Sequence, residues 1–259
     1  MHEELASRHA AERSHHDAFY TQAVRAGFFD RVGFRHLVAW NLAALERAVP
    51  VTPRTRVLSI GCGLGDYEVR LAPRVAHVTG IDLSPVAIDV ATRRAAEAGL
   101  ANVTFRCTAG IDNVVEPGSV DLVIAFGVFH HLSEEERRAV LRQARTWLAP
   151  GGWIYVRDPS ARGILRRTLG PLLRWWSGVH TEDEAALDPY LIAAEMRDAG
   201  FAAPTVDYID VIGGPLPWLV ASRSTLFWRA VFGFDRLWLA SPLRRWASQF
   251  AAVAQRDPR

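Results

Sequence analysis

Val57-Leu-Ser-Ile-Gly61-Cys-Gly63-Leu-Gly65-Asp66-Tyr67 is the stretch on which the fold turns. An apolar, partly β-branched run reads as a buried strand. It runs into glycines at alternate positions, and a helical pattern follows at about 66–73. Without side chains, the backbone at such a turn bends tightly and approaches a ligand closely. The turn is a candidate cradle for a nucleotide cofactor at the carboxyl end of a first strand.

The same alternation continues on the C-terminal side. Strands are expected at Arg56–Ile60, His77–Ile81, Val103–Cys107, Val120–Phe126 and Trp153–Arg157, with helices at about 84–98 and 134–148. Nearly continuous apolar strands alternating with amphipathic helices predict a parallel sheet covered on both faces. Ser84-Pro85 places an N-cap before a proline at the first helical position. Ser133 with Glu136 forms a capping-box pattern, and Pro150-Gly151-Gly152 stops the helix before the fifth strand. Further on, a helix at about 188–199 leads to strands at Pro204–Asp210 and Phe250–Ala254. Residues 1–50 read as helical, ending at Pro50.

Glycine spacing separates two cofactors. Gly61, Gly63 and Gly65 fit G-x-G-x-G, whereas the dinucleotide pattern requires a glycine where the chain has Asp66. Pyrophosphate would also sit badly against an acidic residue opening the helix. The second strand ends in Gly80-Ile81-Asp82-Leu83-Ser84, which sets a carboxylate about 20 positions past the first glycine, in place for ribose hydroxyls. A nucleoside cofactor without phosphates fits better. A nicotinamide-dependent oxidoreductase is the competing enzyme class, and a non-catalytic cofactor-binding protein on the same fold is the competing non-enzyme.

With VLSIGCGLG at 57–65, GIDLS at 80–84, SVDLVIAFGVFHHL at 119–132 and LAPGGWIYVRD at 148–158 in this order, the chain resembles the class I S-adenosylmethionine-dependent methyltransferases over residues 50–158. The resemblance implies a Rossmann-like, mostly parallel seven-stranded α/β sheet with helices on both faces and a helical cap. It implies that the backbone of Gly61, Cys62 and Gly63 packs against the methionine part of S-adenosyl-L-methionine, with Gly65 a further cofactor-binding residue. Asp82 would hold the ribose, Leu83 would pack on the adenine, and Phe126 would offer backbone near the cofactor amino group. The chain departs from the family pattern at Ser59, where the first strand usually carries an acid. It departs again at Ala109, leaving the adenine amino group to the backbone at Ala109–Gly110 or to Asp112.

Methyl transfer from a sulfonium requires alignment and exclusion of water, and a base only where the acceptor must lose a proton. His131, and after it His130, follow the fourth strand and are the candidate bases. Asp158 would orient substrate or cap a turn. In the resembled family an N-terminal helical segment often closes over the cofactor, so residues 1–50 are an expected lid that offers Tyr20 or Phe19. His15, His16, Asp17 and His36 lack metal-ligand spacing, and no metal is expected.

Composition bounds the rest. All 30 basic residues are arginine, which excludes Schiff-base chemistry and a P-loop lysine. Two cysteines, a net charge of +2 and a charged N-terminus without an apolar core lead to an expectation of a cytoplasmic protein that binds no nucleic acid. No stretch reaches the roughly 20 apolar residues of a membrane span. The division expected is a lid at 1–50, a cofactor core at 51–158, and the end of the sheet at 159–259 with a Trp- and Arg-rich substrate cap at about 211–247. Val220, Phe227, Val231, Phe234 and Trp238 recur in the cap at helical spacing, opposite Ser222, Thr225, Arg229 and Arg236. From residue 211 onward there are seven Arg against two acids. Arg166, Arg167 and Arg174 beside Trp175 and Trp176 add an anion-binding or interfacial edge. These features point to a small lipophilic or aromatic acceptor, methylated at oxygen or carbon, and to a peripheral membrane contact. The sequence leaves the oligomeric state open.

Overall fold

The computed structural model describes residues 2–108, 110, 114–168 and 186–258, without the side chains of 2–12 and 15. Ala109, Asp112, Arg174, Trp175 and Trp176 therefore lie outside the described residues.

Seven strands form one sheet in the order β3-β2-β1-β4-β5-β7-β6. They are β1 (Arg56–Ile60), β2 (His77–Asp82), β3 (Val103–Cys107), β4 (Val120–Phe126), β5 (Leu148–Pro159), β6 (Ala202–Asp210) and β7 (Gln249–Gln255). The first five pair in parallel, and β7 alone runs antiparallel, between β5 and β6. The strand order reverses next to β1, which puts the crevice for a ligand beside the glycine turn.

Strand periodicity assigns each residue to a face. Leu58, Ile60, Val123, Ala125, Ile154, Val156, Phe250 and Ala252 share one core with α5 (Glu134–Trp147) and α6 (Pro189–Asp198). Val57, Leu122, Ile124, Tyr155, Ala251 and Val253 share another with α2 (Val32–Ala48). The Ser133–Glu136 capping box is formed in both directions, and Ser84 caps α4 (Pro85–Glu97).

The helix after β1 is shorter than its pattern suggested. α3 covers Glu68–Leu71 and passes into a 3₁₀ turn at Ala72–Arg74. Pro73 lacks the N–H that would continue the α-helical ladder. Residues 1–50 split into α1 (His2–Arg25) and α2, broken around Gly27, which has φ +56°.

Between β6 and β7 the chain forms α7 (Leu216–Leu219), α8 (Thr225–Leu239) and a 3₁₀ turn at Pro242–Trp246. The apolar stripe expected on α8 is corrected. Its buried face is Trp228, Val231, Phe232 and Asp235, while Phe227 and Phe234 face outward. The reason is Asp235, whose carboxylate accepts from the backbone N–H groups of Val211, Ile212 and Gly213 at 3.2, 3.0 and 2.8 Å. A charged residue at a core position breaks the apolar period that a sequence displays.

α8 packs on α2 through Gly33, whose missing side chain makes room for the Trp228 ring. A Cβ there would meet that ring at 2.5 Å. Phe34, Leu37, Trp228, Val231 and Phe232 make the joint core.

Candidate functional site

The glycine turn at the end of β1 is fixed from two sides. Gly61, Gly63 and Gly65 all have positive φ (+64°, +51° and +75°), a region open to glycine at little cost. The N–H of Cys62 donates to the Ile81 carbonyl at 3.0 Å, tying the turn to β2. The Gly63 N–H donates to Asp82 Oδ2 at 2.8 Å, and the Ser84 N–H donates to Asp82 Oδ1 at 2.9 Å. Asp82 therefore closes β2 onto the turn. Burial raises its pKa above the ordinary carboxylate value, with the two backbone donors opposing that rise.

Ser59 sits on β1 just before the turn, and its hydroxyl donates to Glu68 Oε1 at 2.6 Å. Glu68 opens α3 and is almost fully buried. Its Oε2 has no hydrogen-bond partner. Burial raises the Glu68 pKa to about 7, against the opposing bond from Ser59. A buried acid thus stands beside Ser59, nine residues later in the chain. Sequence reading missed Glu68 because an acidic residue in a first helical turn ordinarily faces solvent. The one signal was the polar Ser59 inside an apolar strand. Asp66 pairs with Arg94 Nη1 at 3.1 Å.

α1 crosses this turn. The Ser84 hydroxyl is bonded to Asp17 Oδ1, which fastens α1 to the start of α4. The Tyr20 hydroxyl lies 3.0 Å from where a Gly63 Cβ would stand, and burial raises its pKa well above the ordinary value. His16 lies close enough to Asp82 to stabilise its charged form. Phe19 faces Trp218 of α7 with ring centroids 6.3 Å apart. Phe28, Phe29 and Phe34 also contact Trp218, so α1, α2 and the 211–247 segment meet in one aromatic cluster.

After β4 the chain turns through Phe129–His131. Asp158, fully buried at the end of β5, holds that turn. It accepts from the N–H groups of Phe129 (3.3 Å) and His130 (3.2 Å) and bonds His130 Nδ1 at 2.6 Å. The His131 ring lies 4.0 Å from that of His130, tilted by 38°, and stands edge-on to His16 at 5.2 Å. The histidine pair, His16, Tyr20, Asp82 and the glycine turn are thereby linked contact by contact.

Leu83 and Phe126 are half-buried, and Gly110 is exposed. The Phe126 ring stacks on Tyr67 at 4.2 Å and 10°. The Tyr67 hydroxyl accepts from Asn41 at 2.8 Å. Beside this pair lies a buried polar group that sequence reading did not single out. Arg157 Nη2 pairs with Asp210 Oδ2 at 3.5 Å, and the Tyr155 hydroxyl nearby has no partner. Burial raises the Asp210 pKa to about 7 even beside Arg157. Cys62 is buried and Cys107 exposed, both as free thiols. Among the described residues, no group of three or more His, Cys, Asp or Glu is arranged to hold a metal ion.

A glycine turn capped by an acid from the next strand stands at the switch point of this sheet order, where Rossmann-like folds bind their ligands. Residues 57–152 match the family model described as a methyltransferase domain. The ubiquinone biosynthesis O-methyltransferase of Chromobacterium violaceum is 37% identical over 118 residues, which are 44% of this chain and 50% of that protein. The chain thus spans about half the length of the curated relatives it matches. A SAM-dependent methyltransferase from Aquifex aeolicus superposes with a TM-score of 0.56 at 16% identity, covering 82% of this chain and 87% of that one. A phosphoethanolamine N-methyltransferase 1 from Haemonchus contortus superposes with a TM-score of 0.65 at 16% identity, covering 96% and 49%.

Proposed function

We propose that this chain transfers a methyl group from S-adenosyl-L-methionine to a small, lipophilic or aromatic acceptor, at oxygen or carbon. The observation that carries the cofactor reading is the orphaned Glu68 Oε2 behind the glycine turn. A buried carboxylate oxygen without a donor suits the ammonium of a methionine moiety. Gly61, Cys62, Gly63 and Gly65 would accept the same moiety against bare backbone. Asp82 would take the ribose hydroxyls, Leu83 and Gly110 would border the adenine, and the Phe126 backbone would face the amino end. When bound, the cofactor supplies an activated methyl group on a good leaving group.

What remains for the protein is alignment, dryness and, for a hydroxyl acceptor, a proton acceptor. Tyr20 on α1 closes the turn and keeps water out. His131 takes the acceptor's proton, and the Asp158–His130 pair positions it by fixing the turn and supporting its ring. The lipophilic acceptor is favoured by the aromatic cluster of Phe19, Phe28, Phe29, Phe34 and Trp218 where α1, α2 and the cap meet. The curated relatives, O-methyltransferases of ubiquinone biosynthesis, support the same acceptor class.

Calorimetric titration with S-adenosyl-L-methionine and its demethylated product tests the first part. Saturable binding is expected, and absence of heat up to millimolar ligand overturns it. Transfer of label from methyl-labelled cofactor to a panel of lipophilic phenols tests the second. A base role for His131 predicts that His131→Ala lowers the rate for a phenol near neutral pH and loses little at high pH, where the phenol ionises unaided, leaving cofactor affinity unchanged.

A further inference from the structure

We propose that the outward face of the 211–247 segment docks this protein on the surface of an anionic lipid bilayer. The proposal does not rest on methyl transfer.

α8 is apolar on two opposite sides. One side carries Trp228, Val231 and Phe232 into the core shared with α2. On the other, Leu226, Ala230, Phe234 and Leu237 fall at i, i+4, i+8 and i+11, one continuous stripe on an α-helix. This stripe meets solvent. Leu226 is 77% exposed, Leu237 75% and Phe234 44%. The adjoining α7 adds Leu219 and Trp218, and the following 3₁₀ turn adds Leu243, all exposed. Scattered apolar residues on a surface need no explanation, but a contiguous group on a single segment does.

Charge selects the occupant. Arg229 and Arg236 flank the stripe, and Arg223, Arg244 and Arg245 stand at its ends, all exposed. The segment's only acid is Asp235, which is fully buried and spent on the backbone of residues 211–213. The exposed face therefore presents five guanidinium groups, no carboxylate and a row of large apolar side chains. Apolar side chains entering the acyl boundary beneath a basic rim are what an interfacial helix needs on anionic lipid. A second copy of this chain would bring five more positive charges to the contact and is disfavoured. No described helix is long and apolar enough to cross a membrane, so the contact is peripheral.

The placement bears on the site as well. Trp218 belongs both to the exposed face and to the cluster with Phe19, Phe28 and Phe34, which leads to the α1 turn over Asp82. A molecule dissolved in the bilayer would reach the site along aromatic surface.

The test is flotation of the whole chain, without cofactor, with vesicles of phosphatidylcholine alone or mixed with phosphatidylglycerol. Binding to the mixed vesicles at low salt is expected, weakening as salt is raised. Leu226→Glu/Leu237→Glu changes only exposed positions and should keep the circular dichroism spectrum while vesicle affinity falls roughly tenfold or more. Arg229→Glu/Arg236→Glu should remove the preference for the anionic vesicles. Failure to float with either vesicle overturns the proposal, as does undiminished binding by the leucine variant. A dimer in light scattering that the leucine variant abolishes would also overturn it, by assigning the face to a second copy. None of these outcomes depends on whether the cofactor binds.

Discussion

Asp82 does two jobs with two oxygens, and each is filled by a backbone N–H before any ligand arrives. A carboxylate oxygen accepts more than one hydrogen bond, so ribose hydroxyls add to these donors without displacing them. Removing the carboxylate takes away the ligand contact and frees the turn that shapes the cradle. Asp82→Ala is expected to weaken S-adenosyl-L-methionine binding by about 1–3 kcal/mol, read by calorimetry. An unchanged dissociation constant would remove the role given to Asp82. Glu68 is the opposite kind of residue, since its Oε2 has no donor at all. Asp82 stood out in the sequence because the strand before it and the loop after it are continuous around it. Glu68 did not, because its meaning depends on Ser59 across a turn. Asp158 was read as either orienting a substrate or capping a turn; it is found capping, through Phe129 and His130.

The elements whose apolar period runs unbroken are the ones that can be read from sequence. β1, β4 and β5 alternate between two cores, so all three were found, although β5 extends beyond 153–157 to Leu148–Pro159. The α8 face was misread because Asp235 occupies a core position and Leu226, Phe234 and Leu237 make an apolar face on the outside. Only the tertiary contact with α2 tells the two faces apart. That contact makes a testable point of Gly33. An alanine Cβ there would press on Trp228, whose indole is fully buried and held by its Nε1 donating to the Ser222 carbonyl at 2.9 Å. The ring has little room to retreat. Overpacking of this kind costs about 1–3 kcal/mol, so Gly33→Ala should lower the urea midpoint without changing the slope. Asp235→Ala should cost a similar amount, about 1–3 kcal/mol, by leaving buried N–H groups at 211–213 without an acceptor. A neutral Asp235→Ala would mean that water replaces the carboxylate there.

The molecule keeps two carboxyl groups in its interior, one beside a central strand and one on an edge strand of the sheet. Glu68 lies beside β1, and Asp210 ends β6 at the far edge. Burial lifts both to about 7, well above the roughly 4 of an unfolded chain. Between those values the native state holds protons that the unfolded state has released. Stability therefore falls as pH rises through that window and levels off above about 7. The exposed Arg56–Asp121 and Arg162–Asp188 pairs act in the opposite sense, because Asp121 and Asp188 are lowered, but their effect is confined to pH below about 4. The chain should accordingly show a higher urea midpoint at pH 5 than at pH 8. Glu68→Gln removes one of the two buried ionisations and keeps an acceptor for Ser59. It should leave stability at pH 5 nearly unchanged and raise it at pH 8 by about 1–3 kcal/mol. The same substitution should weaken cofactor binding at pH 8, where the wild-type carboxylate would face an ammonium. A variant that is more stable and binds less tightly would show that this carboxyl group is kept for the ligand at the expense of the fold. A gain in stability with unaltered affinity would assign Glu68 to packing alone.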